Sequence, residues 1–217
     1  MAYRVSYGVY SVDTHVPEPN IRPLDGDIRL IKLEDQTQDS GWLHFGNASS
    51  NVGKWASTEN MPTRARREGA SVMLYPKLDF HHLSSIALVS ERARGVFEEL
   101  EPGVHQFLPI EVTIGKDDVP YGSYHLMFLG NRLDTLEKGL SGPYNARGIC
   151  KGLSDPDGQV ALNSDEIGVH HAWSEMFLSL GTFSFFVSDT LAKRLQDEGF
   201  TGLSEFRHTA ETKELSD

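Results

Sequence analysis

Two histidine pairs are the first places where this sequence could do chemistry: His81–His82 in LDFHHLSS and His170–His171 in GVHHAWSE. Imidazole is the commonest metal ligand, so four of them admit a small metal-dependent hydrolase. Adjacent side chains on a strand point to opposite faces, so at most one of each pair would reach a shared site, with His82 and His171 as the candidates. His171 and Glu175 stand four apart, but HExxH and CxxC spacings are absent, which leaves satisfied, half-buried imidazoles as the stronger reading. Carboxylates are plentiful at Asp117–Asp118, Asp155, Asp157 and Asp165–Glu166. Nothing in their spacing singles out an acid/base pair.

Other chemistries fail on their motifs. In SDPDGQVALNSDE, placing Gly158 at the sixth position of a calcium loop puts Leu153 first and Ser164 twelfth, where carboxylates are required. The tripeptide GLS at Gly139, Gly152 and Gly202 never extends to GxSxG, so there is no nucleophile elbow. Phosphate-cradling glycine loops are missing as well. Cys150 has Arg147 and Lys151 close in sequence, which could lower its pKa, but a lone thiol with no assignable base reads as structural. No catalytic residue, metal or cofactor is expected.

The elements that would position these residues are legible in part. Alternation of Tyr3, Val5, Tyr7, Val9 and Val12 predicts an early strand, and DIRLIKLE (27–34) predicts another. Residues 36–69 form a long polar connection holding a small basic cluster, Arg64, Arg66 and Arg67; a connection of that length is functional, mobile or conceals elements. The run IALVSERARGVFEEL (86–100) is a strand followed by a helix. Ser90 suits the N-cap, Glu91 the positive end of the dipole, and Ala93, Val96, Phe97 and Leu100 one apolar face. Pro102 and Gly103 stop it, and HQFLPIEVTI follows as a strand in which Pro109 implies an edge or a bulge. The same plan returns 98 residues later in FFVSDTLAKRLQDEG (185–199), with Ser188 as cap, Leu191 and Leu195 inward, Gly199 as stop and GLSEF as a short strand. Leu88 matches Phe186, Val89 matches Val187, Ala93 matches Leu191 and Phe97 matches Leu195. The fold class is α+β, with mixed and antiparallel strands, two principal capped helices and an apparent internal duplication. A single domain over 1–217 is expected, with an N-terminal subdomain of 1–71 as an option.

The chain has 217 residues, 39% hydrophobic and 24% charged, with 20 basic and 31 acidic side chains and a net charge of −11. That balance disfavours nucleic acid and anionic membranes as partners and favours a basic protein. No apolar stretch approaches the roughly 18 residues of a membrane span. The start lacks the features of a signal peptide, and one cysteine cannot form an internal disulfide, so the expected compartment is the cytoplasm.

The segment YPKLDFHHLSSIALVSERARGVFEELEPGVHQFLPIEV (75–112) resembles the central block of a bacterial family of immunity proteins. These accompany polymorphic and contact-dependent toxins, and the family began as a domain of unknown function with a myxobacterial founder. Its pattern is matched at Pro76, Asp79, Phe80, Val89, Ser90, Glu91, Leu100, Pro109, Glu111 and Val112. A second Val-Ser-acid helix followed by Gly-x-x-Gly is matched at Val187, Ser188, Asp189, Gly199, Gly202 and Leu203. The resemblance covers 74–207. It implies a protein that binds and neutralises a cognate secreted toxin, with a nuclease suggested by analogy, and it implies no cofactor and no catalytic residue. Contact residues suggested by charge and sequence proximity are Asp155, Asp157, Asp165 and Glu166, with Trp173 as an aromatic anchor, although a buried core Trp is the stronger reading of that residue. The alternatives are the metal-dependent hydrolase and a regulatory or scaffold protein. Oligomeric state is open.

Overall fold

The computed structural model describes residues 1–7, 20–35, 52–68, 77–180, 184–203 and 206–212. They form two six-stranded mixed sheets and three α-helices. The first sheet comprises β2 (Ile21–Pro23), β3 (Arg64–Arg67), β4 (Phe80–Leu83), β5 (Ile86–Ser90), β6 (Gln106–Ile114) and β7 (Val119–Phe128). Their spatial order is β2-β3-β6-β7-β5-β4, antiparallel except for β3 against β6. The second sheet comprises β1 (Ala2–Ser6), β8 (Arg132–Leu133), β9 (Ala161–Leu162), β10 (Ala172–Glu175), β11 (Ser184–Ser188) and β12 (Arg207–Glu211). Its order is β8-β10-β11-β1-β12-β9, with parallel pairs at both ends. The first 67 residues thus contribute β1 to one sheet and β2 and β3 to the other.

The repeated sequence is a repeated structure. Ser90 and Ser188 each accept a hydrogen bond from the backbone N–H three residues on, at 3.1 and 3.3 Å, starting α1 (Glu91–Leu100) and α3 (Asp189–Asp197). Each capping strand is preceded by an antiparallel partner, with Phe80 opposite Val89 and Ala172 opposite Val187. The residue before each partner then holds the cap: Asp79 Oδ1 accepts from Ser90 Oγ at 2.8 Å, and His171 Nδ1 lies 2.8 Å from Ser188 Oγ. Alternation along the two capping strands splits their side chains between layers. Val89 and Val187 join both helices in a central apolar cluster shared by the two sheets. Leu88 faces a second cluster behind the first sheet, and Phe186 a third behind the second sheet.

Two expectations are corrected, for DIRLIKLE and for GLSEF, and the polar connection holds a strand. DIRLIKLE is not a strand: Asp27 accepts from the Arg29 backbone N–H at 3.0 Å and starts a 3-10 turn over Ile28–Leu30, because a local Asx contact outcompetes a ladder. The polar connection conceals β3, an interior strand. GLSEF supplies one bridge, Tyr7 to Leu203, and the regular strand begins at Arg207; Ser204 and Glu205 lie outside the described residues, as do Val9, Val12, Leu74 and Pro76. Pro109 does mark an edge. Glu111 donates its N–H toward the β3 side, to Thr63 O at 2.9 Å. The missing N–H of Pro109, two residues earlier, faces the same way, where β3 no longer runs.

Candidate partner-binding surface

Two sets of polar contacts hold the repeats together. The Asp79 carboxylate accepts from Ser90, from Arg92 at 3.0 Å, and from both the N–H and the hydroxyl of Thr201 at 3.0 Å. Burial raises its pKa, and these hydrogen bonds outweigh that and hold it below the usual carboxylate value. Arg92 continues across the joint, stacking 3.9 Å over the Phe200 ring and donating to Glu198 O at 3.2 Å at the end of α3. Gly202, at φ +83°, sits where a Cβ would meet Phe80 O at 2.0 Å, so no side chain fits there. The motif residues Asp79, Phe80, Ser90 and Gly202 therefore converge on one seam.

A second seam forms at Glu101, which accepts from His105 Nε2 and Ala172 N at 2.9 Å and from Asn131 at 2.8 Å. His105 Nδ1 accepts from Gly130 N at 3.2 Å, which leaves the proton on Nε2 for Glu101. Burial raises the Glu101 pKa, and the His105 contact and the other donors outweigh it, bringing it to about 2. Glu175 is equally buried but accepts only neutral donors, Thr135 Oγ1 at 2.6 Å and three backbone N–H groups. Burial dominates there and pushes it up to about 7.

The histidines do not assemble. His81 packs edge-on against Tyr124 at 5.4 Å and accepts from Leu78 N, and His82 points to the opposite face of β4. His170 lies 3.6 Å from Glu101, and His171 holds Ser188. Among the described residues no group of three or more His, Cys, Asp or Glu side chains could hold a metal ion. Cys150 is fully buried and accepts from Gly152 N at 3.3 Å; burial pushes its thiol pKa up, outweighing the backbone N–H contacts that lower it. The basic cluster of β3 is internal chemistry as well: Arg66 pairs with Asp118 at 2.7 Å, Arg64 with Asp25 at 3.3 Å, and buried Arg67 stacks 4.8 Å over Tyr121.

Two acidic stretches face outward. Asp155 accepts from Asp157 N at 3.0 Å in an Asx turn, closed where a Cβ on Gly158 would meet Gly152 O at 2.5 Å. This is a compact turn with its carboxylates outward rather than a calcium loop. Beyond β9, Asn163 caps the short helix α2 (Ser164–Ile167), accepting from Asp165 N at 2.9 Å. Asp165 and Glu166 occupy its exposed first turn. Trp173 is a correction: it has 0% exposure and stacks 5.6 Å from Phe186 in the third cluster, so the indole cannot anchor a partner in this fold. Its place at the middle of β10, where side chains on both faces are covered, is the reason. The residue that the sequence reading missed is Val169, 85% exposed beyond Gly168 at φ +57°. Its only sequence signal is an apolar residue isolated between a glycine and a polar pair.

Fold and surface together define an α+β protein that keeps its polar networks inside and turns carboxylates outward, with no helix among the described residues long and apolar enough to cross a membrane. The chain belongs to the immunity protein family Imm11, whose model matches residues 18–211. That match extends the resemblance seen in 74–207 back through the β2 and β3 strands. Membership makes this an immunity protein, and the partner such a protein implies is a toxin. No curated protein matches the chain.

Proposed function

We propose that this protein binds one cognate secreted toxin in the cytoplasm of the cell that makes it, and neutralises it by covering its active site or an adjacent surface. The toxin is a basic protein, most simply a nuclease whose phosphate-binding surface is met by carboxylates. The observation that carries this reading is the family match over 18–211, on a chain with net charge −11. Asp155, Asp157, Asp165 and Glu166 form the contact surface, with Val169 replacing Trp173 as the apolar contact. Asp155, Asp157 and Glu166 have no basic partner among the described residues, so their charge is available to another molecule. A tight inhibitor of this kind buries on the order of 1,600 Å² in total.

The test is co-expression with the toxin-like C-terminal domain encoded beside it, followed by pull-down and calorimetry. A 1:1 nanomolar complex that restores growth is expected. Asp155→Lys with Asp157→Lys should weaken it at least about tenfold, since rim charges across an interface act in concert. Absence of both binding and rescue would sink the immunity reading for that pair.

A further inference from the structure

In a chain this acidic, arginines are ordinarily answered by acids, as Arg66 is by Asp118, Arg92 by Asp79 and Arg194 by Glu99 and Glu198. Arg4 and Arg207 are different. They are directly opposed in the antiparallel pairing of β1 with β12, and neither has an acidic partner among the described residues. Their face is fixed by register. Trp173 pairs with Phe186, Phe186 with Arg4, and Arg4 with Arg207, one straight row across four strands. Trp173, Phe186 and Ala2, two residues from Arg4, all pack in the third cluster, so both guanidinium stems rise from that same face. The aromatic end of the row is covered, Arg4 is half-buried and Arg207 is exposed. Among the described residues, β9 pairs with β12 at Ala210 and Glu211, beyond the position of Arg207.

Cross-strand partners have Cβ atoms about 4.5–5.5 Å apart, and like charges so placed are destabilising. Burial, and secondly the charge of Arg207, hold Arg4 below its ordinary pKa. The acid in β12 itself, Glu211, is taken by the Met1 amino group at 3.1 Å. We propose that Arg4 and Arg207 form an oxyanion seat on this face of the second sheet, filled in the complex by a carboxylate side chain of the toxin. This rests on the immunity reading above. Two guanidinium forks facing one another can each donate to one carboxylate, which turns their repulsion into two charge-assisted contacts. On an otherwise acidic molecule the seat selects: a basic toxin is attracted by the general field, but only one with an acid at this position docks in register.

Two measurements decide it. In the free protein, the arginine Nε–Hε signals, assigned through Arg4→Lys and Arg207→Lys, are followed by NMR during titration with malonate at constant ionic strength. Saturable shifts of both signals are expected, and their absence overturns the seat. In the complex, Arg207→Glu should weaken toxin affinity at least about tenfold, while Lys116→Glu in the turn between β6 and β7, an equal change of charge, stays within about twofold. Arg207→Glu should also melt no lower than the parent, because it relieves a like-charge pair, so lost binding cannot be blamed on misfolding. Unchanged affinity for Arg207→Glu overturns the carboxylate as occupant. If the parent itself fails to bind the toxin, the occupant claim falls together with the immunity reading, while the malonate titration still decides the seat.

Discussion

Glu101 and Glu175 are the same side chain, both nearly inaccessible, yet they titrate on opposite sides of the ordinary carboxylate value. The difference lies in the donors each carboxylate accepts from. Glu101 faces His105, whereas Glu175 faces a threonine and backbone N–H groups. With its folded pKa brought down to about 2, Glu101 contributes stability that is present above the unfolded value and lost as pH falls toward 2. With its folded pKa raised to about 7, Glu175 contributes stability that is complete below the unfolded value and lost as pH rises through 7. Each effect is on the order of 3 kcal/mol. Glu175→Gln should therefore flatten the fall in melting temperature between mildly acidic and mildly alkaline pH. Glu101→Gln should instead lower stability at neutral pH and blunt the acid limb. Parallel melting curves for parent and Glu175→Gln at every pH would contradict the assignment of a buried, neutralisable acid at Glu175.

At the scale of elements, the two serine-capped helices were legible because everything that specifies them is local: a hydroxyl, an acid in the first turn, apolar positions at helical spacing and a glycine stop. Removing a cap of this kind costs about 1 kcal/mol. Ser90→Ala should exceed that, since Ser90 also donates to Asp79 and the loss opens the seam toward Thr201. Ser188→Ala should likewise loosen His171, read as a shift of the imidazole signal in NMR together with a lower melting temperature. An Ala at either position that melts with the parent would show the caps to be dispensable. Strand β3 was illegible for the opposite reason. Arg64-Ala65-Arg66-Arg67 looks like a basic surface until the Tyr121 ring, Asp118 and Asp25 arrive from distant sequence to satisfy it. The acidic turn at Asp155 and Asp157 was readable from its Pro and Gly residues. The burial of Trp173 depends on the segment that covers β10, and the Arg4–Arg207 pair on a register between the two ends of the chain.

At the scale of the whole molecule, the shared central cluster and the seams at Asp79 and Glu101 make the two repeats one scaffold, on which charge is distributed unevenly. Arginine and acid neutralise each other along α1 and α3, as Arg94 with Glu91 and Arg194 with Glu99 show. Among the described residues, the turn at Asp155 and Asp157 has no basic partner. A field of this kind acts before contact. It raises the rate at which a basic partner arrives and does little to hold it afterwards. Surface charges separated by more than about 10 Å are screened near 0.1 M salt. Raising salt through that range should therefore slow association with the toxin by about tenfold or more, leaving dissociation nearly unchanged. Asp155→Lys with Asp157→Lys should reduce the slope of that dependence. Stopped-flow association at several ionic strengths measures both effects. An association rate indifferent to salt would mean that the net charge of −11 serves solubility alone, and that recognition lies in short-range contacts such as Val169 and the Arg4–Arg207 seat.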